Sequence, residues 1–266
     1  MDALVTKKLL AINDEFYQTF SRDFSDTRMR LQPGVIKILS SLPTTSNILD
    51  LGCGNGELAL WLANKRFSGN YIGLDHSKTL LEIARNKLSP NRREENWENQ
   101  AGDDPFEGRF QFLEADIAQE PWEEQVRERA QSCSMSRLFD FVTAFATFHH
   151  FPGKKIHIQT LEKISLLLEE NGHLILSNWQ FLNSERLRRR IQPWESVDLS
   201  QEDVEPGDYL IDWRRGGRGL RYVHHFSEDE LYSLASSTGF EVIKTFYSDG
   251  KGGNLGLYQV WEKRGQ

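Results

Sequence analysis

The sequence predicts one doubly wound α/β domain built on a mostly parallel sheet of seven strands. Three observations carry that expectation. Apolar runs of strand length alternate along the chain with segments of helical length. The first run breaks into a turn with glycine at every second position, Gly52, Gly54 and Gly56. The runs that follow end in acids, Asp75 and Asp116, where an open sheet presents its carboxyl ends to a ligand. At 266 residues the chain is long enough for one large domain and need not be two.

Residues 4–20 and 33–42 read as amphipathic helices that cover a sheet edge or close over a bound ligand. Asn47-Ile48-Leu49-Asp50-Leu51 is the first strand, and its glycine turn opens a helix over 57–63. Asn70-Tyr71-Ile72-Gly73-Leu74-Asp75 is the second, feeding a helix over 79–88. Residues 89–108 hold Asn, Arg, Glu, Asp, Gly and Pro with little to bury, and read as a surface insertion. The third strand spans 110–117, followed by a charged helix over 121–131. Residues 139–145 are almost continuously apolar, as in a strand covered on both faces. A long helix over 154–170 is stopped by Asn171-Gly172, and 173–178 is the fifth strand. Residues 179–225 show no clear periodicity and read as a substrate-side insertion. Ser227-Glu228-Asp229-Glu230 is a capping box opening a helix to 237, before strands at 240–247 and 255–262.

The glycine turn differs from the dinucleotide fingerprint G-x-G-x-x-G, because Glu57 stands where the third glycine would be. A pyrophosphate favours a helix N-terminus free of anions. Asp50 and Glu57 instead suit a ligand carrying an ammonium or sulfonium. Asp75 lies about 20 residues beyond the loop, where an acid grips ribose hydroxyls; it is also placed to cap the next helix, as is Ser77. A D-x-G-x-G-x-G turn after a strand resembles the S-adenosylmethionine loop of class I methyltransferases. The resemblance assigns S-adenosyl-L-methionine as cofactor, held by Asp50, Gly52, Cys53, Gly54, Asn55 and Gly56, with Asp75 and His76 at the ribose. It sets Asp116 and Ile117 at the adenine and makes Ala146 a further cofactor-binding residue, next to the departing methyl. It also implies the Rossmann-like methyltransferase fold, closed by an antiparallel C-terminal hairpin strand, with residues 1–45 over the cofactor.

Composition narrows the function. With 38% hydrophobic and 27% charged residues the chain can build a packed core. Cys53 and Cys133 are the only cysteines, so neither a disulfide framework nor a zinc site is supported; no His/Cys/Asp cluster has metal spacing. The first residues lack a signal-peptide core and no run reaches transmembrane length, so a soluble, cytoplasmic protein without a membrane partner is expected. A net charge of −7 argues against indiscriminate nucleic-acid binding, yet two arginine clusters stand out, at 186–190 and 214–221.

The fourth strand runs into Ala146-Thr147-Phe148-His149-His150-Phe151-Pro152, the acceptor side of the fold. His149 is a candidate general base; the pair of histidines could equally cap the next helix. Three more segments are selective: Phe24-Ser25-Asp26-Thr27-Arg28, the double histidine, and Arg221-Tyr222-Val223-His224-His225-Phe226. Together they resemble the tRNA wobble-uridine (carboxymethyluridine) methyltransferases. That family implies tRNA as partner and a substrate carboxylate esterified by the methyl group. It casts Arg28 and Arg221 as carboxylate contacts, and Tyr222, Trp213 and His149 as the surface around the base. The family's Pro-Trp is replaced here by Asp212-Trp213. Some members work with a small activating protein, which joins the candidate partners. Two other readings stay open: a methyltransferase for a small carboxylate or amine metabolite, and a non-catalytic scaffold of the same fold.

Overall fold

The structure is a computed structural model that describes residues 1–89, 108–119, 121–133, 135 and 138–265. The expected surface insertion at 89–108 falls almost entirely outside the described residues.

Helix α1 (Ala3–Asp26) is capped by the Asp2 side chain, which accepts from the Leu4 N–H. Its buried residues Leu9, Asn13, Phe16 and Phe20 recur at three and four positions, giving one inward face. It continues six residues past the expected end because Phe16, Phe20 and Phe24 find a partner in Trp213. Helix α2 (Pro33–Leu39) begins on Pro33, whose fixed φ suits a first turn, and ends three residues early.

Then the alternation begins: β1 (Ile48–Leu51), α3 (Glu57–Asn64), β2 (Tyr71–Asp75), α4 (Lys78–Leu88), β3 (Phe110–Glu114), α5 (Trp122–Ser132), β4 (Phe139–Phe145), α6 (Lys154–Leu167) and β5 (Leu168–Trp179). Strands β1 to β5 are mutually parallel; Ile48 pairs with Tyr71 on one side and Phe141 on the other. Every residue of β1 and β2 is buried, as both faces are covered. One face packs Leu49, Leu74, Val142, Leu174 and Trp261. The other packs Ile48, Tyr71, Ile175 and Tyr258 against Val35, Ile38 and Leu62.

Helix α8 (Glu228–Ser237) precedes β9 (Phe240–Ser248) and β10 (Gly256–Lys263). Strand β10 lies antiparallel between β5 and β9, completing the order β3-β2-β1-β4-β5-β10-β9. The fold is therefore a seven-stranded, mostly parallel doubly wound sheet with an antiparallel C-terminal pair.

Two expectations are corrected. Helix α6 stops at Leu167 rather than 170, because Leu168 already pairs with Phe139 of β4. Asn171, at a φ of 61°, lies within β5 rather than ending a helix. The aperiodic stretch 179–225 also carries regular structure: a short helix α7 (Glu185–Arg188), then β6 (Ile191–Gln192), β7 (Asp208–Trp213) and β8 (Gly219–His224). These strands form a separate three-stranded antiparallel sheet, β6-β7-β8. Its alternation was masked by a two-residue strand and by Arg221 and Asp208, polar residues that are nonetheless buried. Helix α1 lies across β8, with the Tyr222 N–H donating to Asn13 Oδ1 at 2.9 Å. The main sheet and this small one frame the site between them.

Candidate functional site

The strand order reverses between β1 and β4, and the crevice of a doubly wound sheet opens at such a point. A cavity of about 450 Å³ occupies it. The glycine turn, the ends of β2, β4 and β5, helix α1 and the β9–β10 turn all contribute to its wall.

At one end the loop builds a cradle. Gly54 sits at a φ of +55°, and a Cβ built there would meet no protein atom within 4 Å. Gly54 lines the cavity, so that open space is the cavity itself. Its N–H donates to Asp75 Oδ2, and the Ser77 N–H donates to Asp75 Oδ1, both at 2.9 Å. The Asp75 carboxylate is thus fixed in direction at the cavity wall, with acceptor capacity remaining for a hydroxyl donor. Helix α4 is capped by the Ser77 hydroxyl rather than by Asp75. Burial raises the Asp75 pKa, opposed by His76 and by the N–H donors. Asp50 accepts from Tyr71 Oη and Thr143 Oγ1, each at 2.7 Å, and burial lifts its pKa to about 6.

Asp116, Ile117 and Ala118 line the wall beyond Asp75; Asp116 Oδ1 already accepts from the Ala118 N–H at 2.9 Å. His76 stands 3.4 Å from Asp14 of α1, so the helix reaches over this end. Asn55 is not a ligand-facing donor alone: its amide donates to Ser25 Oγ at 2.9 Å and to the Arg28 carbonyl at 3.3 Å. That bond fastens the Phe24–Arg28 segment to the glycine turn. Cys53 is buried, and its thiol pKa is pushed well up. Gly56 does not line the cavity; a Cβ there would fall 2.7 Å from Ala84, so its role is the close approach of α3 to α4.

The other end collects polar groups that the protein leaves unpaired. Ala146, at a φ of +54°, is a left-handed alanine held by its N–H to the Ser177 carbonyl, strain of the kind that gathers at functional sites. Arg221 is 6% exposed, and its guanidinium carbon lies 4.8, 5.3 and 5.5 Å from the ring centres of Phe16, Trp213 and Trp179. No carboxylate among the described residues forms an ion pair with it; the guanidinium meets the Tyr17 hydroxyl, and its Nε has no partner. The amide of Asn178 is 1% exposed and unpartnered at both atoms; His149 is 2% exposed with Nδ1 unpartnered. All three line the cavity.

Burial, then His150 and the arginines, hold the His149 pKa well below its ordinary range. It is a neutral imidazole at physiological pH and a weak base, which suits hydrogen bonding better than the general-base role. Its neighbour is tied into the scaffold. Tyr17 Oη donates to His150 Nε2 at 3.0 Å, while His150 Nδ1 faces the Tyr222 carbonyl at 3.3 Å.

Of the expected acceptor residues, the structure brings Arg28, Arg221 and His149 to the cavity and keeps two away from it. Side chains alternate across β8, so Arg221 points one way and Tyr222 the other. The Tyr222 hydroxyl donates to Asp208 Oδ1 at 2.6 Å, and its ring is fully buried. His224 joins the same carboxylate at 2.7 Å and Glu230 at 3.1 Å, which pushes its pKa up to about 9. Trp213 backs the Arg221 box without lining the cavity. Tyr17, His150 and Asn178 were not among the expected site residues. Asn178 had a legible signal, a polar residue ending the fifth strand at the carboxyl face. Tyr17 had none, being one aromatic position in an amphipathic helix.

An oriented carboxylate beside a glycine turn at the switch point of a doubly wound sheet defines the class: an α/β enzyme that binds a nucleoside cofactor. The chain matches the family described as methyltransferase domain over residues 24–245, and it belongs to that family of S-adenosylmethionine-dependent enzymes. It is 25% identical over 248 residues to the tRNA (carboxymethyluridine(34)-5-O)-methyltransferase of Schizosaccharomyces pombe, covering 88% of this chain and 90% of that protein. The mouse protein tRNA (carboxymethyluridine(34)-5-O)-methyltransferase ALKBH8 is 26% identical over 165 residues, 62% of this chain; the match spans only 19% of the mouse protein. Among solved structures, a SAM-dependent methyltransferase of Methanosarcina mazei superposes with a TM-score of 0.61 at 21% identity, over 90% of this chain and all of the other. That likeness is one of fold. No helix among the described residues is long and apolar enough to cross a membrane.

The residues present fit the cofactor: the open space over Gly54 admits a ligand, and Asp75 is oriented for a sugar.

Proposed function

We propose that this chain methylates a carboxylate carried on a modified wobble uridine of tRNA. The observation that carries the proposal is the Arg221 guanidinium, buried in an aromatic box and unpaired with any acid. A buried cation without a counter-ion is costly, and a carboxylate ligand removes that cost. The name of the Schizosaccharomyces pombe relative supports the choice of acceptor.

When bound, S-adenosylmethionine supplies an electrophilic methyl group. Asp75 would hold its ribose, Asp116 and Ile117 would flank the adenine, and the glycine turn would accommodate the chain that bears the sulfonium. Arg221, with Asn178 and Arg28, orients the acceptor carboxylate, and neutral His149 offers a hydrogen bond without adding charge. A carboxylate is already ionised at neutral pH, so no strong base is needed and a weakly basic His149 is no obstacle. The contribution of these residues is alignment and exclusion of water. The rings around Arg221 hold its guanidinium in place by attraction to their π faces, so it presents a fixed cation to the acceptor.

The depth of Arg221 also favours a second reading, a small carboxylate metabolite that enters whole. Incorporation of labelled methyl into tRNA bearing 5-carboxymethyluridine, the corresponding amide, or small carboxylic acids separates them. Label in the acid-bearing tRNA and not in the amide supports the proposal. Label only in small acids transfers the function to the second reading, and label in the amide removes the carboxylate argument.

A further inference from the structure

The two arginine clusters, separated in sequence by 23 residues of mixed charge, meet in the structure. Ile191 pairs with Ile211, and the Asp212 N–H donates to the Arg190 carbonyl at 3.0 Å, so the first cluster joins the far end of β7. The turn from β7 to β8 carries Arg214, Arg215 and Arg218 at that same end. This turn rests on the last turns of α1. Arg215 lies 3.9 Å from Asp26, and a Cβ on Gly216 would strike the Asp23 carboxylate. Arg28 and Arg30 come next in the chain and line the cavity.

Two of the acids between the clusters go the other way. Asp198 lies 3.6 Å from Lys8, and Glu205 lies 3.4 Å from the terminal amine of Met1, both at the start of α1. Antiparallel packing of β7 and β8 beneath α1 therefore separates charges that cancel in the sequence. Nine arginines gather at one end, where the local acids are Asp23, Asp26, Glu185 and Asp212. Of these acids, Glu185 pairs with Arg189 and Asp212 with Arg214. Arg186, Arg188, Arg189, Arg214, Arg215 and Arg218 are exposed.

We propose that this end of the small sheet is an RNA phosphate-binding edge that leads a strand into the cavity. The inference rests on the nucleotide reading above and names where the rest of the tRNA is held. Exposed guanidiniums facing solvent beside a cavity that takes one nucleotide fit flanking phosphates. An acidic total charge is compatible, because the field at the site decides the encounter.

The test uses the full chain with Arg186, Arg189, Arg214 and Arg218 changed to Gln, and a control with Lys7, Lys65, Arg66 and Lys155 changed to Gln. Binding of a labelled anticodon stem-loop RNA is followed by anisotropy across a salt series, and methylation of tRNA is compared with that of free 5-carboxymethyluridine. The arginine variant is expected to lose at least about tenfold in RNA affinity and roughly 3 in the log–log salt slope, at about 0.7–0.9 per phosphate contact. Its methylation of the free nucleoside stays at the wild-type rate, and the control matches wild type in RNA binding. Equal RNA binding by both variants overturns the edge, as does binding of anionic phospholipid vesicles in place of RNA. Should wild type methylate no nucleoside or RNA at all, the proposed function fails, while the anisotropy arm still decides the edge on its own.

Discussion

Replacing Arg221 by methionine separates an anion receptor from a structural cation. Burying a guanidinium costs several kcal/mol after relaxation. Here no acid repays it; the Tyr17 hydroxyl contributes one hydrogen bond, and four rings lie within 4.8–6.0 Å, each contributing about 0.5–2 kcal/mol. The two sums are of similar size, so Arg221→Met is expected to leave stability within about 1 kcal/mol of wild type in urea unfolding, methionine being long enough to fill much of the box. Catalysis should respond differently. A charge-assisted hydrogen bond is worth about 1.5–3 kcal/mol, which at about 1.4 kcal/mol per decade is roughly a 10- to 150-fold fall in kcat/KM for the carboxylate acceptor. Binding of S-adenosylhomocysteine by calorimetry should not change. A variant several kcal/mol less stable but fully active per folded molecule would show that Arg221 holds the fold together and binds no acceptor, refuting the reasoning.

Asp75→Ala removes the expected ribose contact and should weaken S-adenosylhomocysteine at least about 100-fold by calorimetry; affinity within about tenfold of wild type would displace the ribose assignment. His149 and His157 (pKa about 4) are buried and His150 (about 3) is half-buried; all three are neutral, with folded pKa values below the unfolded value. Their stabilising contribution is complete above about pH 6.5 and is lost as pH falls toward 4, at roughly 1.4 kcal/mol per pH unit for each histidine; urea midpoints across that window measure it. His224 runs the opposite way: its pKa is raised to about 9, so its contribution is complete below about 6.5 and disappears as pH rises through 9. Asp208→Asn should cost about 3 kcal/mol near neutrality and flatten that alkaline loss, with cofactor affinity unchanged.

The cofactor half was legible because its chemistry lies in short contiguous runs. Asp50 through Gly56 form one strand end and the turn after it, and Asp75 closes a strand whose length is fixed by burial on both faces. The acceptor half was legible only in part. Arg28 and Arg221, 193 positions apart, meet because α1 crosses β8, a contact no local pattern announces. Tyr222 misled for a physical reason: strand alternation sends it to Asp208, away from its neighbour Arg221. The small sheet was hidden because its buried positions include Asp208, Arg221 and His224, which read as surface in a hydropathy pattern. Asn55 shows a second duty that the sequence hid: it lines the cavity and its amide also fastens Ser25 and the Arg28 carbonyl.

The most direct measurement is mass spectrometry of nucleosides from tRNA incubated with the protein and methyl-labelled S-adenosylmethionine, with and without mild alkali. An ester on the side chain of the wobble uridine predicts label on that one nucleoside, released by alkali. Label that survives alkali, or that appears on another nucleoside, contradicts the account.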